Sequence, residues 1–268
     1  MTKIVFDIGG TSMRVAPEKD GGLGEVVKVA TPRDPHEAIA TLTSLMQKSA
    51  GASISAVAGG IRGRVIDGVF QEDKVLSEWY GLNIVDEISK ALGASVKIVH
   101  DTAAAGLGET HHGAGRGSNI CAYITVSTGV GGDRIVDGRI DRATYNPEIG
   151  RQLIDGVELE DLVSGTAVQK KFGMHPQDLE SEEERNKLAD LLAIGLYNTT
   201  LHWSPDTIVL GGSMILGKNS IPLPRVVASL AQRLATTYPT VPVIKKAELG
   251  DSAGLYGALV MLLENKQI

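Results

Sequence analysis

Two stretches of this 268-residue chain break an apolar strand run with small polar residues and then resume it. The first is KIVFDIGGTSMRV, residues 3–15, and the second is NICAYITVSTGVGGDRIVDGR, residues 119–139. Aspartate is a poor residue for a buried strand, and paired glycines weaken a strand interior. Something outside the strand must therefore offset each interruption. Both stretches read as strand–turn–strand hairpins. They match in kind, though not residue by residue, which makes a weak internal repeat. A chain that builds one hairpin twice, with helices after each, is constrained toward a two-part α/β protein.

The rest of the chain alternates strand-like and helix-like segments. DPHEAIATLTSLMQKSAG reads as a helix with Asp34 as N-cap and Pro35 in its first turn. Its Ile39, Leu42, Leu45 and Met46 fall on one face. SISAVAGGI and GRVIDGVF read as strands, IVDEISKALG as a short helix closed by Gly93, SVKIV as a strand and TAAAGLGETHH as a helix. Beyond the second hairpin, SEEERNKLADLLAIGLYNTTLHW opens with Ser181 and Glu184 at capping-box spacing. DTIVLGGS reads as a strand ending in glycines, and PRVVASLAQRLATTY and SAGLYGALVMLLE as helices. The polar, Gly-rich stretch at residues 111–119 marks a division. The expected domains are 1–112, with a final helix 252–268 packing back onto it, and 113–251.

Composition narrows the partners. The net charge is −6, and no basic run is longer than Lys170-Lys171 or Lys245-Lys246. Nucleic acid and anionic membranes are excluded as partners on electrostatic grounds. Cys121 is the one cysteine, so no disulfide forms within the chain, as in a reducing compartment. The sequence shows no signal-peptide pattern and no run of 18 apolar residues. The expected location is cytoplasmic.

Several motifs carry chemistry. At Asp7-Ile8-Gly9-Gly10-Thr11, glycines allow positive φ and let N–H groups converge on an anion, while Thr11 adds a hydroxyl. Asp7 is an oxygen ligand able to hold Mg²⁺ through water. The same sequence also suits a tight hairpin whose Asp bonds its own turn. Ser127-Thr128-Gly129-Val130-Gly131-Gly132 admits the same two readings, but two such turns in matching contexts suit a grip on a nucleoside triphosphate. Asp101, after His100 at the end of a strand, sits where α/β proteins place ligands and can accept a hydroxyl proton. It, or Thr102, is equally a good N-cap. Residues 212–219 nearly match a P-loop, but Asn219 stands where Ser or Thr is needed for Mg²⁺, so this reads as a loop. The Gly211-Gly212 pair marks a place where backbone can approach a flat ligand.

These pieces, in this order, resemble the ROK family of sugar kinases, repressors and related proteins. The resemblance spans nearly the whole chain through FDIGGTSMRVA, HDTAAAGLGETHHGAGRG, ITVSTGVGGDRIVDGRI, NPEIGR, ELEDLVSG and DTIVLGGS. It implies an α/β, two-domain actin-like ATPase (ribonuclease H-like) fold with a cleft between the domains. It also implies an ATP- and Mg²⁺-dependent kinase of the glucokinase type, acting on a hexose or N-acetylhexosamine. By resemblance, Asp7, Gly9, Gly10 and Thr11 form the first phosphate hairpin. Ser127, Thr128, Gly129 and Gly131 form the second, and Gly211 and Gly212 lie beside the nucleoside. Asp101 is then the base, Glu148 and Glu160 bind the sugar, and Gly59 and Gly60 belong to a substrate loop. A homodimer is implied as well.

The departures from the family pattern are specific. His100 stands where the family usually has Asn, and Arg151 where it has the His of EIGH; both positions normally touch the sugar. The family's zinc site uses that His with a Cys-rich loop absent here, so no zinc is expected. Arg151 offers a cation to an anionic substrate group. Only six residues precede Asp7, and the charge is acidic, so the repressor reading is set aside. The alternatives carried are a polyphosphate-using or non-standard-substrate kinase, and a catalytically weak sugar sensor.

Overall fold

The computed structural model describes residues 1–71 and 73–263. The chain forms two compact units. One consists of Met1–His111 with the chain from Asp251 on, and the other of His112–Gly250.

The first unit contains β1 (Thr2–Ile8), β2 (Ser12–Lys19), β3 (Gly22–Leu23), β4 (Val27–Ala30), α1 (Pro35–Ala50), β5 (Ile54–Ile61), β6 (Val65–Ile66), β7 (Val69–Phe70), α2 (Ile84–Leu92), β8 (Ser95–His100) and α3 (Asp101–His112). The sheet order is β3-β2-β1-β5-β8, with β4 also paired to β2. β1 and β2 are antiparallel, whereas β5 and β8 add in parallel. Ile4, Val5 and Phe6 are consecutive and fully buried, as in a central strand covered on both faces. The core includes Phe6, Leu42, Met46, Val57 and Trp79. α1 starts at Asp34, whose side chain accepts the Glu37 N–H at 2.8 Å, and ends at Gly51 in the left-handed region. The C-terminal helix, Ala253–Leu263, also belongs to this unit and packs on β1 and β5. Residues 264–268 of the expected helix lie outside the described residues.

The second unit contains β9 (Ile120–Val126), β10 (Val130–Val136), β11 (Arg139–Ile140), β12 (Leu153–Ile154), β13 (Val157–Glu158), α4 (Leu159–Val163), α5 (Gly165–Phe172), α6 (Glu182–Trp203), β14 (Thr207–Gly211), α7 (Ser213–Leu216), α8 (Leu223–Leu234) and β15 (Val243–Lys246). Its sheet order is β11-β10-β9-β14-β15. Again an antiparallel hairpin leads, and two parallel strands follow on the far side of its first strand. The two hairpins therefore open two sheets of the same plan. Ile124, Leu159, Leu192, Leu196, Ile208 and Leu230 are among the core residues.

Two local expectations need correction. GRVIDGVF is a hairpin, β6 and β7, rather than one strand; Asp67 and Gly68 both take positive φ at its turn. The loop expected at residues 212–219 contains the one-turn helix α7. Among the described residues, no helix is long and apolar enough to cross a membrane.

Candidate active site

β1 ends at Ile8 and β2 begins at Ser12, so Gly9, Gly10 and Thr11 make the first turn. Gly9 N–H donates to Ser12 O at 2.9 Å. Thr31, which follows β4, holds the turn twice. Its hydroxyl donates to Gly9 O at 2.7 Å and its N–H to Thr11 O at 3.1 Å. Two turn carbonyls are thus occupied. Among the described residues, the Gly10 and Thr11 amides have no intramolecular partner. Amides left open beside occupied carbonyls are what an anion requires. The expected positive φ does not occur at Gly9 or Gly10. Gly10 instead lies close under Val75, whose Cγ1 would have to move to admit a Cβ there, 2.6 Å away.

The β1 register sets Asp7 beside Arg14 on β2 and Gly60 on β5. Arg14 Nη1 donates to Asp7 Oδ2 at 3.1 Å, and Arg14 Nη2 to Asp251 Oδ2 at 2.6 Å. The other Asp7 oxygen, Oδ1, faces two bare glycines. A Cβ on Gly60 would lie 3.5 Å from it, and one on Gly254 3.0 Å. Burial pushes the Asp7 carboxyl up to about 7, helped by the nearby Asp101 charge and opposed by Arg14. Asp251 is held below the usual range, because Arg14 and Lys28 outweigh the opposing effect of burial.

Asp101 is the first residue of α3, at the carboxyl end of β8. Its Oδ1 accepts the Thr102 N–H at 2.8 Å. His100 Nδ1 lies 2.6 Å from Thr102 Oγ1 and 3.4 Å from Asp101 Oδ1. The carboxylate thus serves the helix start while its side chain stays 33% exposed. Gly60 joins this group, since a Cβ on it would meet Asp101 Cα at 3.2 Å. Gly59 does not: its open side lies against the Phe6 ring.

In the second unit, Ser127, Thr128 and Gly129 link β9 to β10. Ser127 N–H donates to Gly129 O at 2.8 Å. The Ser127 carbonyl accepts Gly165 N–H at 2.7 Å, and the Thr128 carbonyl accepts the Thr166 hydroxyl at 2.7 Å. Among the described residues, the Thr128 and Gly129 amides have no intramolecular partner. Both hairpin turns therefore share one arrangement, with carbonyls tied by a threonine hydroxyl and two amides open. Gly131 is a ladder residue of β10, opposite Thr125, and lies outside the turn. Glu160, on α4, reaches the turn's far side, where its Oε2 accepts Val130 N–H at 2.9 Å.

Gly211 ends β14 and Gly212 precedes α7. Gly212 has φ 86°, and a Cβ on Gly211 would lie 2.8 Å from the Tyr123 hydroxyl. Neighbouring protein crowds the place of a side chain at both positions. A pocket of this unit adjoins both the turn and α7; Thr128, Thr166, Gln169, His175, Ser213 and Lys218 are among its lining residues. Sequence reasoning found Thr128, set Lys218 aside with the P-loop-like stretch, and missed Thr166 and Gln169. Chain separation hides them, because only the fold brings residues 128, 166 and 218 together.

Glu148 precedes and Arg151 ends the turn Ile149–Arg151, whose Ile149 and Gly150 pack on β10. Arg151 Nε is 3.7 Å from Glu148 Oε2, and its Nη1 is 3.9 Å from Glu158 Oε1. The cation expected for a substrate anion already sits between two carboxylates. A hard cation fits Asp7: its Oδ1 has a cradle that two side chains would otherwise fill. Among the described residues, no three acidic, His or Cys groups gather to hold a metal directly. Water and donor oxygens would therefore complete its shell.

A family model described as ROK family matches residues 3–265. The fructokinase of Zymomonas mobilis subsp. mobilis is 30% identical over 210 residues, covering 70% of this chain and 69% of that protein. The structure of a ROK hexokinase from Thermus thermophilus superimposes with a TM-score of 0.83 at 26% identity, over 98% of this chain and 99% of that one. An inorganic polyphosphate/ATP-glucomannokinase from Arthrobacter sp. strain KM gives 0.71 at 26% identity, over 99% of each chain. Over nearly its whole length, then, this chain belongs to the ROK family.

Proposed function

We propose that the chain is a carbohydrate kinase that transfers the γ-phosphoryl group of ATP to a sugar hydroxyl. The observation that carries this reading is the matched pair of hairpin turns. Each has occupied carbonyls and two open amides, Gly10 and Thr11 in one and Thr128 and Gly129 in the other. Open amides bind a phosphate chain at no cost in lost internal hydrogen bonds. Phosphoryl transfer depends mainly on positioning and charge stabilisation. Mg²⁺, when bound, would neutralise charge on the transferring phosphates.

The chain's own residues account for the acceptor side. Asp101 takes the proton of the attacking hydroxyl through the carboxylate it exposes. His100, one residue before it, is braced by Thr102. Glu148 receives the sugar, with Arg151 holding it from the side. Because Glu148 and Glu158 both flank Arg151, the acceptor is a neutral sugar rather than an acidic one. The fructokinase, hexokinase and glucomannokinase relatives support a hexose. The pocket beside Thr128 takes the nucleoside. Polyphosphate is the second donor reading, favoured by the relative whose name carries both donors.

A panel of neutral hexoses, N-acetylhexosamines and acidic sugars tests the reading, with ATP and polyphosphate as separate donors. Product is expected with at least one neutral hexose and ATP. Transfer only to acidic sugars, or to none, contradicts it.

A further inference from the structure

The residues from α4 into α5 grip the β9–β10 turn at three points. Thr166 and Gly165 hold the Thr128 and Ser127 carbonyls. Glu160 holds the third, through its 2.9 Å bond from Val130 N–H. The fit is closed sterically as well. A Cβ on Gly129 would run into Glu160 Oε2, and the next atom it would meet is Glu160 Cδ at 3.1 Å. Glu160 is thus packed against the one residue of the turn that lacks a side chain. This bond uses one carboxylate oxygen and stands beside the sugar contact that resemblance implies for Glu160.

We propose that Glu160 is a positioning residue for the donor-binding turn, setting the directions of the Thr128 and Gly129 amides through Val130. This rests on the kinase reading above. An amide at Val130 that lost its acceptor would seek another, and the turn would shift with it. Glutamine keeps an acceptor oxygen at the same reach, whereas alanine removes it. A residue that served only the sugar would leave donor binding untouched in either variant.

The test is nucleotide affinity of the full chain, measured by titration calorimetry with an ATP analogue and Mg²⁺ in the absence of sugar. Glu160→Ala is expected to weaken binding by roughly 5–100-fold, the usual consequence of an orphaned partner. Glu160→Gln should stay within about threefold of wild type. Gly129→Ala should weaken binding in the wild-type background and add little to Glu160→Ala, since the two compete for one space. Hydrogen exchange at the Val130 amide should quicken in Glu160→Ala and not in Glu160→Gln, a readout independent of catalysis. Unchanged sugar-free affinity in Glu160→Ala, or additive effects of the two variants, overturns the inference. Wild-type protein that binds no nucleotide overturns the kinase reading and the inference with it, whereas an affinity shared by wild type and Glu160→Ala overturns the inference alone.

Discussion

Asp7 shows how a single residue can be placed against its own stability. Its carboxyl is raised from 3.8 to about 7, so between about pH 4 and pH 7 the unfolded chain gives up a proton that the folded chain keeps. Folding stability from this group therefore falls as pH rises through that window, with the full penalty present above pH 7. The separation corresponds to about 4 kcal/mol at most. Asp7→Asn removes the penalty, although Arg14 exchanges a charged partner for a neutral amide. The melting temperature of Asp7→Asn relative to wild type, without divalent ions, is expected to rise from pH 5 to pH 8; a difference constant with pH contradicts this. Thr31 poses a similar question at the first turn. Thr31→Val deletes the hydroxyl that holds Gly9 O, and donor KM is expected to rise roughly 2–10-fold, about 0.5–1.5 kcal/mol. Residues of this kind were the hardest to read. Asp7, Asp101 and Thr128 sit inside recognisable runs, but nothing near Thr31, Thr166 or Arg14 marks them. Arg14 meets Asp251 across 237 residues of sequence, and no local pattern encodes that pairing.

Elements were more legible than residues where their periodicity was long. α1, α2 and α6 carry side-chain caps at Asp34, Asn83 and Ser181, two of which the sequence marks directly. The β1–β2 and β9–β10 hairpins are marked in sequence because apolar runs flank turn residues, whereas the two-residue strands of β6–β7 are too short to show it. β4 and β15, at four residues each, were not read as strands, because neither is long enough to show alternation. The contact between α3 and the C-terminal helix was also invisible in sequence. It is made by Gly108 and Gly257, whose Cβ positions would run into Ala253 O and Ala104 O. Both obstacles are backbone, so neither can swing aside. Gly257→Ala should lower unfolding free energy by about 1–3 kcal/mol or more in chemical denaturation. Gly81→Ala, whose glycine faces open space but has φ 83°, serves as the comparison for backbone strain alone.

At the scale of the whole molecule, one unit is continuous in sequence and the other is not. Residues 112–250 form their own core around β9 and β14, whereas the first unit needs the chain from Asp251 on. A fragment spanning 112–250 is expected to unfold cooperatively alone. A chain ended at residue 250 should lose the folded state of the first unit, because β1 and β5 would expose the face that the C-terminal helix covers. Near-equal stability of the shortened and full chains contradicts this division. The repeated sheet plan also explains why the two hairpins are legible in sequence. Each unit opens its sheet with a hairpin whose turn leaves two amides open, and a hairpin is a local object. What each turn leans on comes from later in the chain, and that was read only from the fold.

The measurement that bears most directly on the central claim is a comparison of wild type with Asp101→Asn in sugar-dependent ADP release, with nucleotide and sugar binding measured alongside. Asp101→Asn is expected to lose roughly 10²–10⁴-fold in turnover with both affinities nearly unchanged. Turnover within threefold of wild type, or a loss explained entirely by weakened binding, would contradict it.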